Sequence, residues 1–543
     1  MSDKIASYLQ QHLTGEVVYA KKVREFFSTD GSVFKVMPRL VVYPKNTTDV
    51  RKIARFAWQL AERKTPVTLT ARGSGTDQSG GAIGPGISVV FPAHMNRVLQ
   101  LDKNTVTVQP GEIYASLQKT LHTHHRFLPP YPSSIDFATI GGSVANNAAG
   151  EKSIKYGQTL DYVESLQVVL ANGELIQTGR LSKRALDKKM GETTFEAEIY
   201  RQVDALLEEN QETVQSTKLN VSKNTAGYNL LDVRGKDGSI DLTPLFVGSQ
   251  GTLGMITQIK LKTEEYTPDE NLIVGFFESI EKADDAVEEL KKLKPSALEF
   301  VDEHLLRLVH KENPNRLKDL VEEPYPSLVM LAEFDDNKDT VRSRKTKKAV
   351  KIISKYAQEY IVAKTPQERD NLWKIRHSAA ALMWHSETDA KALPIIEDGI
   401  VPDGKFVEFI EHVYKTYKKY GLETAVWGHA GNNNLHMQPF LDLSKTGDRQ
   451  KVFAIMDEYY DEIIKMGGST AGEHNDGRLR APFLTKLYGE DVYKLFKKVK
   501  KIFDPYNVLN EGVKIDVTRD DQKRLLRNEY GMEHLGHHLP RMH

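Results

Sequence analysis

The sequence predicts an α+β fold in more than one domain, and three observations carry that expectation. At 543 residues the chain is too long for one ordinary core. Between residues 40 and 110 short apolar strands follow one another with little regular alternation with helices, unlike a doubly wound parallel sheet. Near residue 266 the texture changes to strand followed by helix, which sets a boundary there and a second compact α+β unit beyond it.

In chain order, residues 1–35 read as an N-terminal helical segment with Ile5, Tyr8, Leu9 and Leu13 on one face. LVVYP at 40–44 is a strand, and Thr47 or Thr48 is placed to cap the helix DVRKIARFAWQLAERK. Its Val50, Ile53, Ala54, Ala57, Leu60 and Ala61 form one stripe. VTLT at 67–70, ISVVF at 87–91, VLQL at 98–101 and TVTVQP at 105–110 follow as strands. The loop ARGSGTDQSGGAIGPG, 71–86, suits a nest of amides around an anion, with the Thr76 and Ser79 hydroxyls at hand. It is not a dinucleotide fingerprint, because Gln78 stands where the third glycine belongs, and GEKS at 150–153 is not a Walker A loop.

The stretch Pro129 to Gly157 begins with three prolines in four residues and continues through Gly141, Gly142, Ala145, Ala148, Ala149 and Gly150. Prolines fix an extended approach and small residues admit close contact, so it is either a tightly packed loop or a bed for a large flat ligand. VESLQVVLANGELIQTG returns to strand character, with Asn172-Gly173 as a hairpin turn of the preferred two-residue type. Gly248, Gly251 and Gly254 then serve a turn or a ligand contact before a further strand. These segments give a first domain over 36–265, a second over 266–470, a C-terminal segment over 471–515 and a tail over 516–543.

Three later features complete the reading. The basic run at 342–351 is expected to be a solvated helix face. In YKLFKKVKKIF, 493–503, Leu495, Phe496, Val499, Ile502 and Phe503 fall on one side and five lysines on the other, a core helix with a basic outer face. The tail, with His534, His537, His538 and His543, is expected to be disordered or draped.

Composition narrows the function classes. Lys+Arg and Asp+Glu are equal at 74 each, so no net field recruits nucleic acid, and small molecules are the expected partners. There is no cysteine, which excludes thiolate metal sites, iron–sulfur ligation and cysteinyl attachment of a cofactor. No run approaches the ~18 apolar residues of a membrane span, so the expected location is cytoplasmic, with peripheral membrane contact at most. The sequons at Asn46 and Asn220 then carry no meaning.

The chemistry-bearing residues lie late in the chain. In VWGHAGNNNLHMQPF, 426–440, a turn at Gly431 to Asn434 would make His429 and His436 cross-strand neighbours, either sharing a metal or hydrogen-bonded separately. GGSTAGEHNDGRLR, 467–480, places Glu473 and His474 in a loop. Two His and one Glu suit a divalent ion with open positions, zinc, manganese or iron, and the adjacent His474 suits a base. Arg376, on a helix of modest charge, suits bidentate capture of a carboxylate or a surface salt bridge.

Together these segments resemble flavoproteins of the vanillyl-alcohol-oxidase or p-cresol-methylhydroxylase (PCMH) type, most of all the FAD-dependent D-lactate, glycolate and D-2-hydroxyglutarate dehydrogenases. The resemblance spans residues 36–515, with RGSGTDQSGG, PPYPSS, TIGGSVANNAAG, KYG, VGSQGTLGMIT, WGHAGNNNLH, GGSTAGEHNDGR and FDPYNVLNEGVKI in family order. It implies a two-subdomain PCMH-type FAD-binding domain with an α+β, ferredoxin-like cap that holds substrate. It implies that Arg72, Gly73, Ser74, Gly75, Thr76, Pro132, Ser133, Thr139, Gly141, Gly142, Ala145, Asn146, Ile256 and Asn510 hold FAD. It further implies that His429, His436 and Glu473 bind the metal, Arg376 the substrate carboxylate, and that His474 takes the hydroxyl proton. The implied reaction is oxidation of a D-2-hydroxy acid, D-lactate first, with electrons passed on to a quinone, a cytochrome or an electron-transfer flavoprotein. No histidine lies in the 71–86 loop, so FAD is expected to be non-covalent.

The chain also departs from the family pattern. The usual HxGDGNxH carries Asn432 for the Asp and Asn433 for the Gly, and EHGxG carries Asn475 for the first Gly with Asp476 beside it. Asn tolerates the left-handed region, so the backbone is expected to survive while the local charge changes. The alternatives are a flavin-binding electron-transfer subunit that has lost turnover, or a sibling oxidase that uses oxygen.

Overall fold

The computed structural model describes residues 3–385, 390–423, 425–535 and 539–540, and it is an α+β fold built on three main sheets. In the first sheet Leu40–Tyr43 and Leu69–Arg72 flank Ile87–Val90 in parallel, and Glu16–Val18 pairs antiparallel at the edge. The N-terminal segment is therefore not wholly helical. Helices Lys4–His12 and Lys21–Phe26 bracket that edge strand, because Val17 and Val18 bury their side chains on pairing with Val42 and Val41.

The helix Thr47–Glu62 buries Val50, Ile53, Ala54, Ala57 and Ala61, as its period predicts. Its cap is Asn46 rather than Thr47 or Thr48: the Asn46 side chain accepts a hydrogen bond from the Asp49 amide at 3.0 Å, and Thr47 already lies in the first turn. The buried face shares one apolar cluster with Leu40, Val42, Leu69, Ile87 and Val89 of the first sheet and with Val169 and Met255 of the second. This helix joins the two halves of the first domain.

The second sheet is antiparallel, in the order Val98–Leu101, Thr105–Val108, Met255–Lys262, Val163–Val169, Leu175–Gln177. The Asn172-Gly173 hairpin is present, but only Gly173 has positive φ, at 85°. The turn is thus not the expected two-residue form, which needs at least its first central residue, Asn172, left-handed.

Beyond residue 266 lies a seven-stranded antiparallel sheet, ordered Glu359–Val362, Asn271–Phe277, Leu328–Phe334, Ala297–Asp302, Val426–His429, Asn434–Met437, Gly399–Ile400. Its first four strands come from two strand–helix–strand units, through helices Ile280–Lys291 and Asp339–Tyr356, each bracketing a strand of the other. The hairpin carrying His429 and His436 extends this sheet, so the sheet itself fixes the histidines. On Asp339–Tyr356, Arg344, Lys347, Lys348 and Lys351 are exposed, while Arg342 turns inward and donates to the Asp336 carbonyl at 2.8 Å.

The C-terminal segment returns to the first sheet, where Leu69 donates to the Val508 carbonyl at 2.7 Å and Asn510 donates to the Leu69 carbonyl at 2.7 Å. Helix Leu484–Phe503 buries the predicted apolar side chains. Only four of its five clustered lysines face out. Lys500 is buried, donating to the carbonyls of Thr252 at 2.9 Å and Leu509 at 2.6 Å and pairing with Asp504, because those orphaned carbonyls need a donor.

The tail is draped. Arg527 donates to the carbonyls of Phe34 and Asp30, Tyr530 donates to Gly31, and His534 is buried. His537, His538 and His543 lie outside the described residues. Among the described residues no helix is long and apolar enough to cross a membrane.

Candidate functional site

A single cavity is lined by Gly73, Ser74, Gly75 and Thr76 of the loop after Leu69–Arg72, by Pro132 and Ser133, by Thr139, Gly141, Gly142, Ala145 and Asn146, by Ile256, and by Glu473 and His474. Thr139 caps the helix Ile140–Asn146, its hydroxyl accepting from the Gly142 amide at 3.1 Å. Two glycines are required by close approach. A Cβ on Gly73 would stand 2.2 Å from Thr139 Oγ1, and one on Gly141 would stand 2.7 Å from the Pro110 carbonyl oxygen. Gly73 thus lets the 73–78 loop close on Thr139, and Gly141 lets its helix close on Pro110.

Three expected contacts are redirected. Arg72 lines the cavity, but its guanidinium is engaged by the carbonyls of Phe27, Thr29 and Ala82, to which it donates at 3.3, 2.9 and 3.2 Å, holding the loop. The Asn510 carboxamide donates to the carbonyls of Gly81 at 2.7 Å and Gln250 at 2.6 Å, and it braces the loop rather than lining the cavity. The Ser79 hydroxyl is spent on Asp77 at 2.9 Å, so it is not free for an anion. Arg72 and Asn510 follow backbone carbonyls supplied by other segments, which local spacing does not reveal, whereas Ser79 turns to a carboxylate two residues back.

Asp77 and Gln250 were not marked by the sequence. Asp77 accepts from the Gly81 amide at 2.6 Å and from Asn146 Nδ2 at 2.9 Å. Gln250 donates to Ser79 at 2.9 Å and to Asn146 at 3.1 Å, and accepts from the Gly477 amide at 2.8 Å. They lock the loop to the cavity floor.

The histidines form a hairpin as expected, but the register differs. Ala430 to Asn433 connect the strands, so His429 opposes Asn434 and Trp427 opposes His436. The two histidines are therefore diagonal neighbours on one face, with ring centroids 5.1 Å apart. Their Nε2 atoms converge on one oxygen: Glu473 Oε1 lies 3.0 Å from His429 Nε2 and 3.3 Å from His436 Nε2. Donors of a tetrahedral site with bonds of ~2.0 Å keep edges of roughly 3.3 Å. The three residues are buried and their chemistry fits a divalent ion.

Carboxylates the sequence did not single out order this cluster. Glu299 Oε1 lies 2.7 Å from His429 Nδ1, while its Oε2 accepts from Arg376 Nε at 2.8 Å. Arg376 is thus not in a surface salt bridge: it is buried and linked through Glu299 to His429. Glu397 Oε2 lies 2.6 Å from His474 Nδ1 and 3.3 Å from His436 Nδ1, and its other oxygen pairs with Arg480. Asp398, itself left-handed at φ 68°, accepts from the backbone amides of Glu473 and His474 at 3.0 and 2.7 Å. Lys223 pairs with Glu473 Oε2.

The charges respond accordingly. Burial raises the cost of charging Glu473, but Lys223 and His429 hold its carboxyl well below the usual range. Burial opposes protonation of His474, yet the carboxylates of Glu397, Asp398 and Glu473 together outweigh it and lift the imidazole to about 9.

The departures are accommodated. Asn433 and Asn475 adopt left-handed φ of 54° and 66°. Asn432 accepts from Ser153 at 2.9 Å and donates to Ser222 at 3.0 Å. Asp476 pairs with Lys514 at 2.7 Å and accepts from the Gly227 amide at 2.8 Å, which neutralises the added charge. A separate acidic cluster, Glu270, Glu333 and Asp335, is closed by the Lys152 ammonium, which gives the lysine of GEKS an ion-pairing role.

Comparison with known proteins agrees with the geometry. A family model for FAD binding domains matches residues 38–179, and one for the C-terminal domain of FAD linked oxidases matches residues 267–513. The glycolate oxidase subunit GlcD of Bacillus subtilis is 29% identical over 504 residues, 91% of this chain and 92% of its own. A D-lactate dehydrogenase of Anaerostipes hadrus is 28% identical, covering 91% of this chain and 94% of its own. The D-2-hydroxyglutarate dehydrogenase of Escherichia coli is 27% identical over 93% of this chain, and the chain spans about half the length of that relative, 50%. Among solved structures, 4-ethylphenol oxidase from Gulosibacter chungangensis aligns with a TM-score of 0.67 at 16% identity, covering 95% of this chain and 97% of that one. p-Cresol methylhydroxylase aligns with a TM-score of 0.65 at 14% identity, covering 92% and 94%. The structural likeness speaks to the fold.

Proposed function

The chain belongs to the FAD-linked oxidases, with an FAD-binding domain of the PCMH type, and on that premise we propose that it oxidises a D-2-hydroxy acid, D-lactate foremost, to the 2-oxo acid. The observation that carries this reading is that Glu473 and His474 line the same cavity as the Gly73–Thr76 loop, with His429 and His436 converging on Glu473 from behind.

In this reading the residues lining the cavity hold FAD non-covalently, with Arg72 and Asn510 bracing its loop. Bound FAD would accept hydride from the substrate Cα at flavin N5. His429, His436 and Glu473 would hold a divalent ion, whose positive charge would favour the substrate alkoxide. Arg376 has its Nε engaged by Glu299, which leaves the terminal guanidinium nitrogens for a substrate carboxylate. His474 has Nδ1 held by Glu397, which fixes the ring; its neutral form, the minor one at pH 7 for an imidazole lifted to about 9, would take the hydroxyl proton at Nε2.

Anaerobic mixing of the FAD-loaded protein with D- and L-2-hydroxy acids, metal supplied, tests the reading. Bleaching of the flavin band by D-acids supports it, and bleaching by none overturns it. Reoxidation of the bleached protein by air, or by a quinone or dye, then separates oxidase from dehydrogenase.

A further inference from the structure

Glu473 divides its two oxygens. Oε1 faces the Nε2 atoms of His429 and His436 at 3.0 and 3.3 Å, and Oε2 is paired with the ammonium of Lys223. Both side chains are buried, Lys223 at 4% exposure and Glu473 at 4%. A buried charge is tolerated only with a partner. Lys223 has Glu473 as its ion-pair partner, with Ser153 Oγ beyond at 3.5 Å.

Three neighbouring carboxylates each have a cation of their own, and a fourth, Asp398, is held by the amides of Glu473 and His474. Glu299 is paired with Arg376, Glu397 with Arg480, and Asp476 with Lys514. Lys223 is therefore the cation dedicated to Glu473. It comes from the 222–230 segment of the first half of the chain, whereas the histidines come from the seven-stranded sheet.

We propose that Lys223 is a built-in counter-cation of the His429–His436–Glu473 centre, which stabilises the metal-free state and holds down the affinity for a divalent ion, making that ion exchangeable. The inference rests on the metal reading above. Its sign follows from charge. Without the ion, removing the ammonium leaves the buried Glu473 only the imidazoles of His429 and His436 as partners, which destabilises the empty centre. With the ion at Oε1, the same ammonium flanks a carboxylate already neutralised, and the two positive charges repel. Removing Lys223 raises the energy of the empty state and lowers that of the loaded one, so both effects tighten binding. A lysine that only oriented Glu473 would act in the opposite sense.

The test uses FAD-loaded full-length protein stripped by a chelator and titrated with chelator-buffered Zn2+ and, separately, Mn2+. Lys223→Met is expected to bind at least roughly tenfold tighter than wild type, and its metal-free Tm to fall. Lys223→Arg, which keeps the charge, is expected to stay within about threefold of wild type. Unchanged or weaker binding by Lys223→Met, with wild type binding, overturns the inference. Binding by neither protein overturns the metal reading instead, whereas binding by Lys223→Met alone supports the inference. If Lys223→Met is isolated only with the ion present, the instability of the empty state is shown directly. The double variant Lys223→Met/Glu473→Gln, which removes both charges, is expected to recover metal-free Tm above that of Lys223→Met. Failure to recover overturns the charge argument.

Discussion

Nδ1 of His474 lies 2.6 Å from Oε2 of Glu397, a carboxylate whose other oxygen is held by the buried Arg480. This pair sets the direction of the imidazole before any substrate arrives, with Nε2 left 3.7 Å from Glu473 Oε1.

Glu397→Gln keeps an acceptor for Arg480 but gives up the charge that orients His474. The expected result is a rate of flavin bleaching by the best 2-hydroxy acid lowered roughly 10–100-fold, with FAD still bound. Stopped-flow absorbance measures it, and an unaltered bleaching rate would remove Glu397 from the mechanism.

Asn475 combines a left-handed backbone with a carboxamide that donates to the carbonyls of Asn146 at 3.1 Å and Gly248 at 2.9 Å. Asn475→Gly keeps the backbone and loses these two bonds together with the two its oxygen accepts from the Asp476 amide and Lys514, a cost of about 1–3 kcal/mol for each buried group left unpaired. Asn475→Ala adds left-handed strain of about 1–2 kcal/mol. Thermal melts of the FAD-loaded proteins should therefore rank wild type above Asn475→Gly above Asn475→Ala, and a reversal of the two variants would contradict the assigned backbone role.

Asp302 gives a pH dependence of stability away from the site. Burial lifts its carboxyl from 3.8 to about 6, with His304 partly offsetting. A raised folded value means that its contribution is fully present below about pH 4 and is lost as pH rises through 6. Asp302 Oδ1 accepts from the amides of Leu305 at 2.8 Å and Val426 at 3.1 Å, contacts that Asn can keep. Asp302→Asn is expected to gain stability relative to wild type between pH 4 and pH 7, on the order of 3 kcal/mol at most. Urea unfolding at the two pH values measures it, and a constant difference would refute it.

Gly73→Ala places a methyl against Thr139 and should yield protein with less than stoichiometric FAD. Gly447→Ala, where nothing lies within 4 Å of the new methyl, is the matched control and should retain full FAD. The ratio of flavin to protein absorbance reads both, and full flavin in Gly73→Ala would show that the loop can move aside.

What could be read from the sequence was whatever has a local signature. The stripe of Thr47–Glu62 follows from helical period, and the turn between His429 and His436 follows from three asparagines that tolerate left-handed backbone. Glu397 and Lys223 have no such signature. Each acts on a partner far along the chain, His474 and Glu473 respectively, and nothing in IIEDGI or VSKNT marks an acid or a lysine as buried. Lys500 escaped for a related reason. Its neighbours in sequence are four exposed lysines, and only the carbonyls of Thr252 and Leu509 turn it inward.

The brace that Asn510 places behind the glycine loop also has a meaning in time. Thr70 and Asn510, which share a hydrogen bond, are 440 residues apart, and Gly81 and Asn510 are 429 apart. On a ribosome adding about 5–20 residues per second, roughly 20–90 s separate the emergence of the loop from that of its support. A nascent chain that already displays RGSGTDQSGG still lacks what holds it in shape. The loop's last support therefore arrives only once the intervening sheet and the C-terminal segment have been made.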